Sequence, residues 1–191
     1  MDEIKILGIA GSLRKDSYNK KLLRSTLNLL PKGVTMEIFE GLGEIPLFNQ
    51  DQENNPPQIV KEFKKKIREA DALLIATPEY NRSIPGVLKN AIDWASRPYN
   101  DNAFSGKIAA IVSASMGMLG GSLAQYHLRQ ILSFLNVIVV PAPEVFVSFA
   151  QQKFDEQGNL TDETAKKLIS QLISNLVYQV KISKNVQVIR V

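Results

Sequence analysis

Three observations in the sequence predict an α/β fold, a doubly wound sheet of parallel strands with helices on both faces. Short apolar runs alternate with amphipathic helical patterns, which is how strands and their crossover helices read in sequence. One run, Ala72 to Ala76, is apolar throughout, as expected of a parallel strand covered on both faces. Polar, glycine and proline residues then cluster where the apolar runs stop, and open α/β sheets hold their ligands outside the carboxyl ends of the strands.

The first strand is expected over Ile4 to Ala10, and a helix follows from about Ser17 to Leu30. Val34 to Phe39 supplies the second strand and Pro57 to Glu69 the second helix. After the third strand, Ala72 to Thr77, a helix from Gly86 to Ser96 is entered through Pro85, whose fixed φ and missing N–H suit a helix start. Ile108 to Ser113 is the fourth strand, Leu119 to Leu135 the next helix, and Val137 to Val140 the fifth strand, continuing as far as Val147. Five strands suit a flavodoxin-like order. The last helix has the clearest pattern: Ala165, Leu168, Ile169, Leu172, Ile173, Leu176, Val177 and Val180 recur at helical spacing behind Asp162 and Glu163. The tail Asn185 to Val191 has the apolar content of a short extra strand.

A chain of 191 residues, 45% hydrophobic, can bury one substantial core and is short for two, so residues 1–191 are read as a single domain. The absence of cysteine excludes disulfides, thiolate catalysis and cysteine-ligated metal centres. No apolar run approaches the length that spans a bilayer and no basic flank leads into one, so the expectation is a soluble, cytoplasmic protein with no membrane partner. A net charge of +4 favours anionic ligands, but the basic residues are scattered without interleaved aromatics, and no nucleic-acid partner is expected.

Three loops carry the candidate chemistry. The first strand ends in Gly11-Ser12-Leu13-Arg14-Lys15-Asp16-Ser17-Tyr18-Asn19, directly before a helix. Unpaired amides at a helix start, with hydroxyl, amide and guanidinium donors beside them, can hold a phosphate, although neither Gly-x-Gly-x-x-Gly nor Gly-x-x-x-x-Gly-Lys-Ser/Thr is present. An ordinary capped helix start, with Ser17 or Asp16 as N-cap, accounts for the same residues. The third strand leads into Pro78-Glu79-Tyr80-Asn81, which carries more hydrogen-bonding groups than a turn requires. The fourth leads into Ser113 to Ser122, where Gly117, Gly120 and Gly121 would let the backbone approach a flat ligand; a flexible connection is the plainer reading. Ser115-x-Gly117 also invites comparison with a hydrolase nucleophile elbow, but position 113 is serine and the only histidine, His127, falls in the next helix.

Together these phrases resemble the NADPH-dependent FMN reductase family of flavodoxin-like proteins, which includes quinone, chromate and azo-dye reductases. The resemblance rests on Gly11-Ser12-Leu13-Arg14-x-x-Ser17-x-Asn19, Ile45 to Asp51, Pro78 to Trp94, and Gly120-Gly121 followed by Gln125 to Arg129. It implies that Ser12, Arg14, Ser17 and Asn19 hold the FMN phosphate, that Pro78, Glu79, Tyr80 and Asn81 line the isoalloxazine ring, and that Ser115, Gly117, Gly120 and Gly121 close its other side. The implied enzyme takes hydride from NAD(P)H onto FMN and passes electrons to a small-molecule acceptor such as a quinone, azo compound, chromate or free flavin, with no side chain acting as nucleophile. A flavodoxin-like electron carrier serving a protein partner is the alternative, disfavoured by the basic charge. A homodimer or homotetramer is expected, with the helix Gly86 to Ser96 and its Trp94 near a subunit contact; Leu123, where many relatives carry arginine, weakens the case for the tetramer.

Overall fold

The computed structural model describes residues 3–189, with side chains described as far as residue 185. The elements run β1 (Ile4–Ala10), α1 (Tyr18–Thr26), β2 (Val34–Phe39), α2 (Gln58–Glu69), β3 (Ala72–Ala76), α3 (Gly86–Ala95), β4 (Ile108–Ala114), α4 (Ser122–Phe134), β5 (Ile138–Val139), β6 (Val145–Val147) and α5 (Glu163–Ile189). All pairings are parallel, in the order β2-β1-β3-β4-β5, and β6 also pairs with β4. This is the flavodoxin-like α/β order expected from the sequence.

Alternate residues of each strand enter opposite layers. Leu7, Ile9, Leu73, Ile75 and Ile111 pack with Val60, Phe63 and Ile67 of α2, Leu88 and Trp94 of α3, and Leu128 and Leu132 of α4. Ile4, Ile6, Leu74, Ala110 and Val112 face Leu22 and Leu23 of α1 and Ile169, Leu172, Ile173 and Leu176 of α5. Both layers are closed to water, with Leu22, Val60, Leu74, Ile111 and Ile169 each at 0% exposure. A fully buried side chain of this size contributes about 1.5–3 kcal/mol relative to leaving it exposed.

The structure changes three expectations. The fifth strand is split into β5 and β6 because Pro141 and Pro143 between them have no N–H to give to a ladder. The tail is not a strand, since α5 continues through Asn185 to Ile189; Arg190 and Val191 lie outside the described residues. Trp94 is 1% exposed, and its Nε1 donates to the Pro46 carbonyl at 2.8 Å while Phe48 meets its ring edge-on at 5.1 Å. It therefore cannot anchor a subunit contact: a large aromatic with an N–H that can reach a partner is as well placed in a core as at an interface. The phrase Ile45 to Asp51 is explained by the same packing, for Asn90 of α3 also accepts from Phe48 N at 2.7 Å and donates to Pro46 O at 2.8 Å.

Candidate active site

The loops after β1, β3 and β4 meet at the carboxyl end of the sheet around a cleft of about 210 Å³, lined by Ser12, Arg14, Ser17, Tyr18, Asn19, Pro78, Glu79, Tyr80, Ala114, Ser115 and Met116. Larger grooves of about 660 Å³ beside β2 and α2 and about 610 Å³ between α3 and α4 lie away from this end. Chemistry, not size, singles out the cleft. It combines open donors with a helix start, whereas Lys66 in the groove beside β2 and α2 is already paired with Glu37, which raises its pKa.

The β1 loop is built to leave donors open. Gly11 N is the last amide of the strand, bonded to Ala76 O at 2.8 Å, and Ser17 caps α1 by accepting from Asn19 N and Lys20 N. Among the described residues, the amides of Ser12 to Asp16 have no hydrogen-bond partner, and neither has the Ser12 hydroxyl, although Ser12 is only 3% exposed. Arg14 lies over the Tyr18 ring at 5.6 Å and donates to Asp16 O at 2.5 Å, so its guanidinium is held at the mouth of the loop. Consecutive free amides, a hydroxyl and a guanidinium at the positive end of a helix form a donor set suited to a phosphate monoester.

Asn19 has a different task from its neighbours. Its side-chain amide donates to Ala114 O and its carbonyl accepts from Ala114 N, both at 2.9 Å, so that it clamps α1 to the end of β4. Periodicity in the sequence holds no sign of such a pairing across 95 residues.

The β3 loop turns back on itself. Tyr80 and Ser83 exchange backbone hydrogen bonds at 3.0 Å each way across Asn81 and Arg82, whose φ values are 50° and 64°. Asparagine tolerates that region and arginine does so at a cost, which the closed turn imposes. The Tyr80 amide is thereby occupied, but the Glu79 and Asn81 amides have no partner among the described residues. The Glu79 carboxylate points away from the loop: its Oε2 accepts from Leu123 N at 3.0 Å and Ala124 N at 3.2 Å in the first turn of α4.

The β4 loop differs most from expectation. Gly120 and Gly121 are buried, with φ of 59° and 91°, and a Cβ on either would collide with the protein itself: 2.9 Å from the Phe146 backbone and 2.7 Å from Ser113 Cβ. Gly117 is exposed and open. Of the residues singled out in the sequence, the cleft gathers Ser12, Arg14, Ser17, Asn19, Pro78, Glu79, Tyr80 and Ser115; Asn81, Gly117, Gly120 and Gly121 are not in its lining, the first two exposed and the last two buried. Tyr18, Ala114 and Met116 line it without having been anticipated, and only their adjacency to predicted residues could have marked them. The hydrolase reading finds no support, since Ser115 Oγ accepts from Gly117 N at 3.2 Å while His127 Nδ1 pairs with Ser83 Oγ at 3.0 Å.

Residues 4–152 match the family described as NADPH-dependent FMN reductase. The chain belongs to that family. It is 53% identical over 176 residues to an NAD(P)H-dependent FMN reductase of Pseudomonas aeruginosa, covering 92% of this chain and 94% of that protein. An NAD(P)H:quinone oxidoreductase of Solanum tuberosum is 49% identical over 170 residues, with 86% of each chain covered. Among solved structures, a flavoenzyme NAD(P)H:(acceptor) oxidoreductase from Paracoccus denitrificans superposes with a TM-score of 0.86 at 34% identity, over 94% of this chain and 98% of that one. The protein is accordingly an FMN-dependent NAD(P)H oxidoreductase. The family match ends before α5, which contributes core and no part of the cleft lining. No described helix is long and apolar enough to cross a membrane.

Proposed function

We propose that the cleft is the FMN site of a cytoplasmic quinone-reductase-type enzyme formed by one domain, residues 1–191. In this reading the amides of Ser12 to Asp16, the hydroxyls of Ser12 and Ser17 and the Arg14 guanidinium bind the phosphate. Pro78, Glu79 and Tyr80 would hold the flavin ring, with the free Glu79 and Asn81 amides available to it as donors, and Ser115 and Met116 would border it from the other loop. Asn19, Gly117, Gly120 and Gly121 shape the walls. When bound, FMN supplies the two-electron redox chemistry that no side chain here can perform. The chain's own contribution is to bind, to orient, and to place fixed N–H dipoles where negative charge would otherwise meet low-dielectric surroundings.

The observation that carries this reading is the run of unpartnered amides at Ser12 to Asp16, in the loop whose Ser12 and Arg14 line the same cleft as Pro78 to Tyr80. The apolar surfaces of Tyr80 and Met116, 52% and 59% exposed, support a flat, weakly polar acceptor such as a quinone using the open face in turn with NAD(P)H. The relatives named for quinone reduction point the same way. Titration of the apoprotein tests the site: FMN should bind more tightly than riboflavin, and NADH or NADPH should bleach the bound flavin until a quinone restores its colour. Equal affinities for FMN and riboflavin would refute the phosphate loop.

A homodimer or homotetramer remains part of the reading, with a second copy of the chain as the partner. The contact surface is moved from Trp94 to the groove between α3 and α4, where Phe134 is 82% and Tyr99 77% exposed beside Ile92 and Ile131. Sedimentation should show a species at least twice 21.3 kDa, and Phe134→Ser should weaken the association.

A further inference from the structure

The N-cap of α4 is Gly121, which offers no side chain to the helix's first amides. A residue from another loop does so instead. Glu79 Oε2 accepts from Leu123 N and Ala124 N, its side chain is only 11% exposed, and its Oε1 lies 3.7 Å from Arg82 Nη1. A carboxylate at this position satisfies two otherwise unpaired donors and complements the positive end of the helix dipole. Asp or Ser in the N-cap position itself would be the local solution, but a side chain there would collide with Ser113. The carboxylate therefore couples two loops that flank the cleft from different strands, the one after β3 and the one before α4.

Three further hydrogen bonds, centred on Thr77 and Ser113, brace the same junction. Thr77 Oγ1 donates to Pro78 O at 2.9 Å, and Ser113 Oγ donates to Gly120 O at 2.6 Å while accepting from the buried Gln125 Nε2 at 2.8 Å. Each stiffens one loop; the Glu79 carboxylate joins the two.

We propose that Glu79 is a positioning residue for the flavin ring: through its carboxylate on α4 it sets the spacing between the Pro78–Tyr80 backbone and the Ser115–Gly121 loop, while its own amide stays free for the cofactor. This rests on the FMN site described above and gives Glu79 a task distinct from ring contact by its side chain. Reach matters in this arrangement and charge is secondary, because one oxygen serves both amides.

Three variants separate reach from charge. Glu79→Gln keeps an acceptor at the same distance, Glu79→Asp keeps the charge but withdraws it by one methylene, and Glu79→Ala removes both. The expected result is FMN affinity within about threefold of wild type for Glu79→Gln and roughly tenfold weaker for Glu79→Asp and Glu79→Ala, about what loss of a helix cap is worth. Riboflavin affinity should fall by the same factor, since the effect is on the ring side and not on the phosphate loop. The visible circular dichroism of bound flavin should change in Glu79→Asp and stay as wild type in Glu79→Gln, a signature that a loss of overall stability would not produce. Glu79→Asp and Glu79→Gln serve if Glu79→Ala does not fold. Wild-type FMN affinity and dichroism in Glu79→Asp would overturn the inference while leaving the site intact; failure of the wild-type protein to bind FMN would overturn both.

Discussion

The loops after β1 and β4 both run from a buried strand into a helix, the first with a single glycine, Gly11, and the second with Gly117, Gly120 and Gly121, and the structure uses them differently. From Ser12 to Asp16 the backbone amides have no partner among the described residues, and Ser12 and Arg14 line the cleft. In the other loop Gly120 and Gly121 are required by the protein's own packing, with Phe146 and Ser113 where their side chains would be, while Gly117 is open. Glycine in a loop thus reports a close approach without saying what approaches. Free amides alone do not discriminate, because those of Met116, Met118, Leu119 and Gly121 in the second loop also have no partner among the described residues; what sets the first loop apart is the Ser12 hydroxyl and Arg14 guanidinium beside its free amides at a helix start.

The most severe way to probe this contrast is Gly121→Ala. A left-handed backbone at φ 91° and a Cβ 2.7 Å from Ser113 should together cost about 2–5 kcal/mol, read as a lowered urea midpoint of the apoprotein. A variant of wild-type stability but poor flavin affinity would show that the glycine serves the ligand after all. Arg14→Ala belongs to the other loop and should do the reverse: FMN affinity should fall roughly tenfold to a hundredfold, with riboflavin affinity and the urea midpoint little changed.

A smaller effect is expected where a helix start is satisfied from within. Asp162 accepts from Ala165 N at 2.8 Å at the start of α5, and its hydrogen bond with Lys153, followed by that from the Ala165 amide, lowers its pKa below the usual carboxylate value. A lowered folded-state pKa means stability that is present above the unfolded value and lost as pH falls through the folded one. Asp162→Asn should therefore cost about 1 kcal/mol near neutrality, the solvent exposure of the pair keeping it small, and almost nothing under acid conditions. Denaturation curves at both pH values check the sign. Gly117→Ala should have the least effect, within about 0.5 kcal/mol, because its surroundings are open and its φ is not in the left-handed region. A large effect there would erase the distinction between Gly117 and its two buried neighbours.

Much of the architecture was legible from local patterns. Ala72 to Ala76, Ile108 to Ser113 and the stripe from Ala165 to Val180 are buried as their spacing requires, because burial on one face or two leaves a periodic trace in the sequence. Continuation of α5 through Asn185 to Ile189 departs from the expected strand, since a short apolar stretch suits strand and helix alike. Trp94 departs from expectation for a related reason: amphipathic bulk identifies a residue that must be buried without naming the surface that buries it.

The sequence by itself determined the order of strands and helices and the end of the sheet at which polar groups collect. Both follow from periodicity and from the placement of Gly, Pro and capping residues, which act over a few positions. Only the tertiary structure decided which donors in those loops are free. Asn19 is engaged by Ala114 and the Glu79 carboxylate by Leu123 and Ala124, across 95, 44 and 45 residues, and these partners come within hydrogen-bonding distance only once the sheet has brought the loops together.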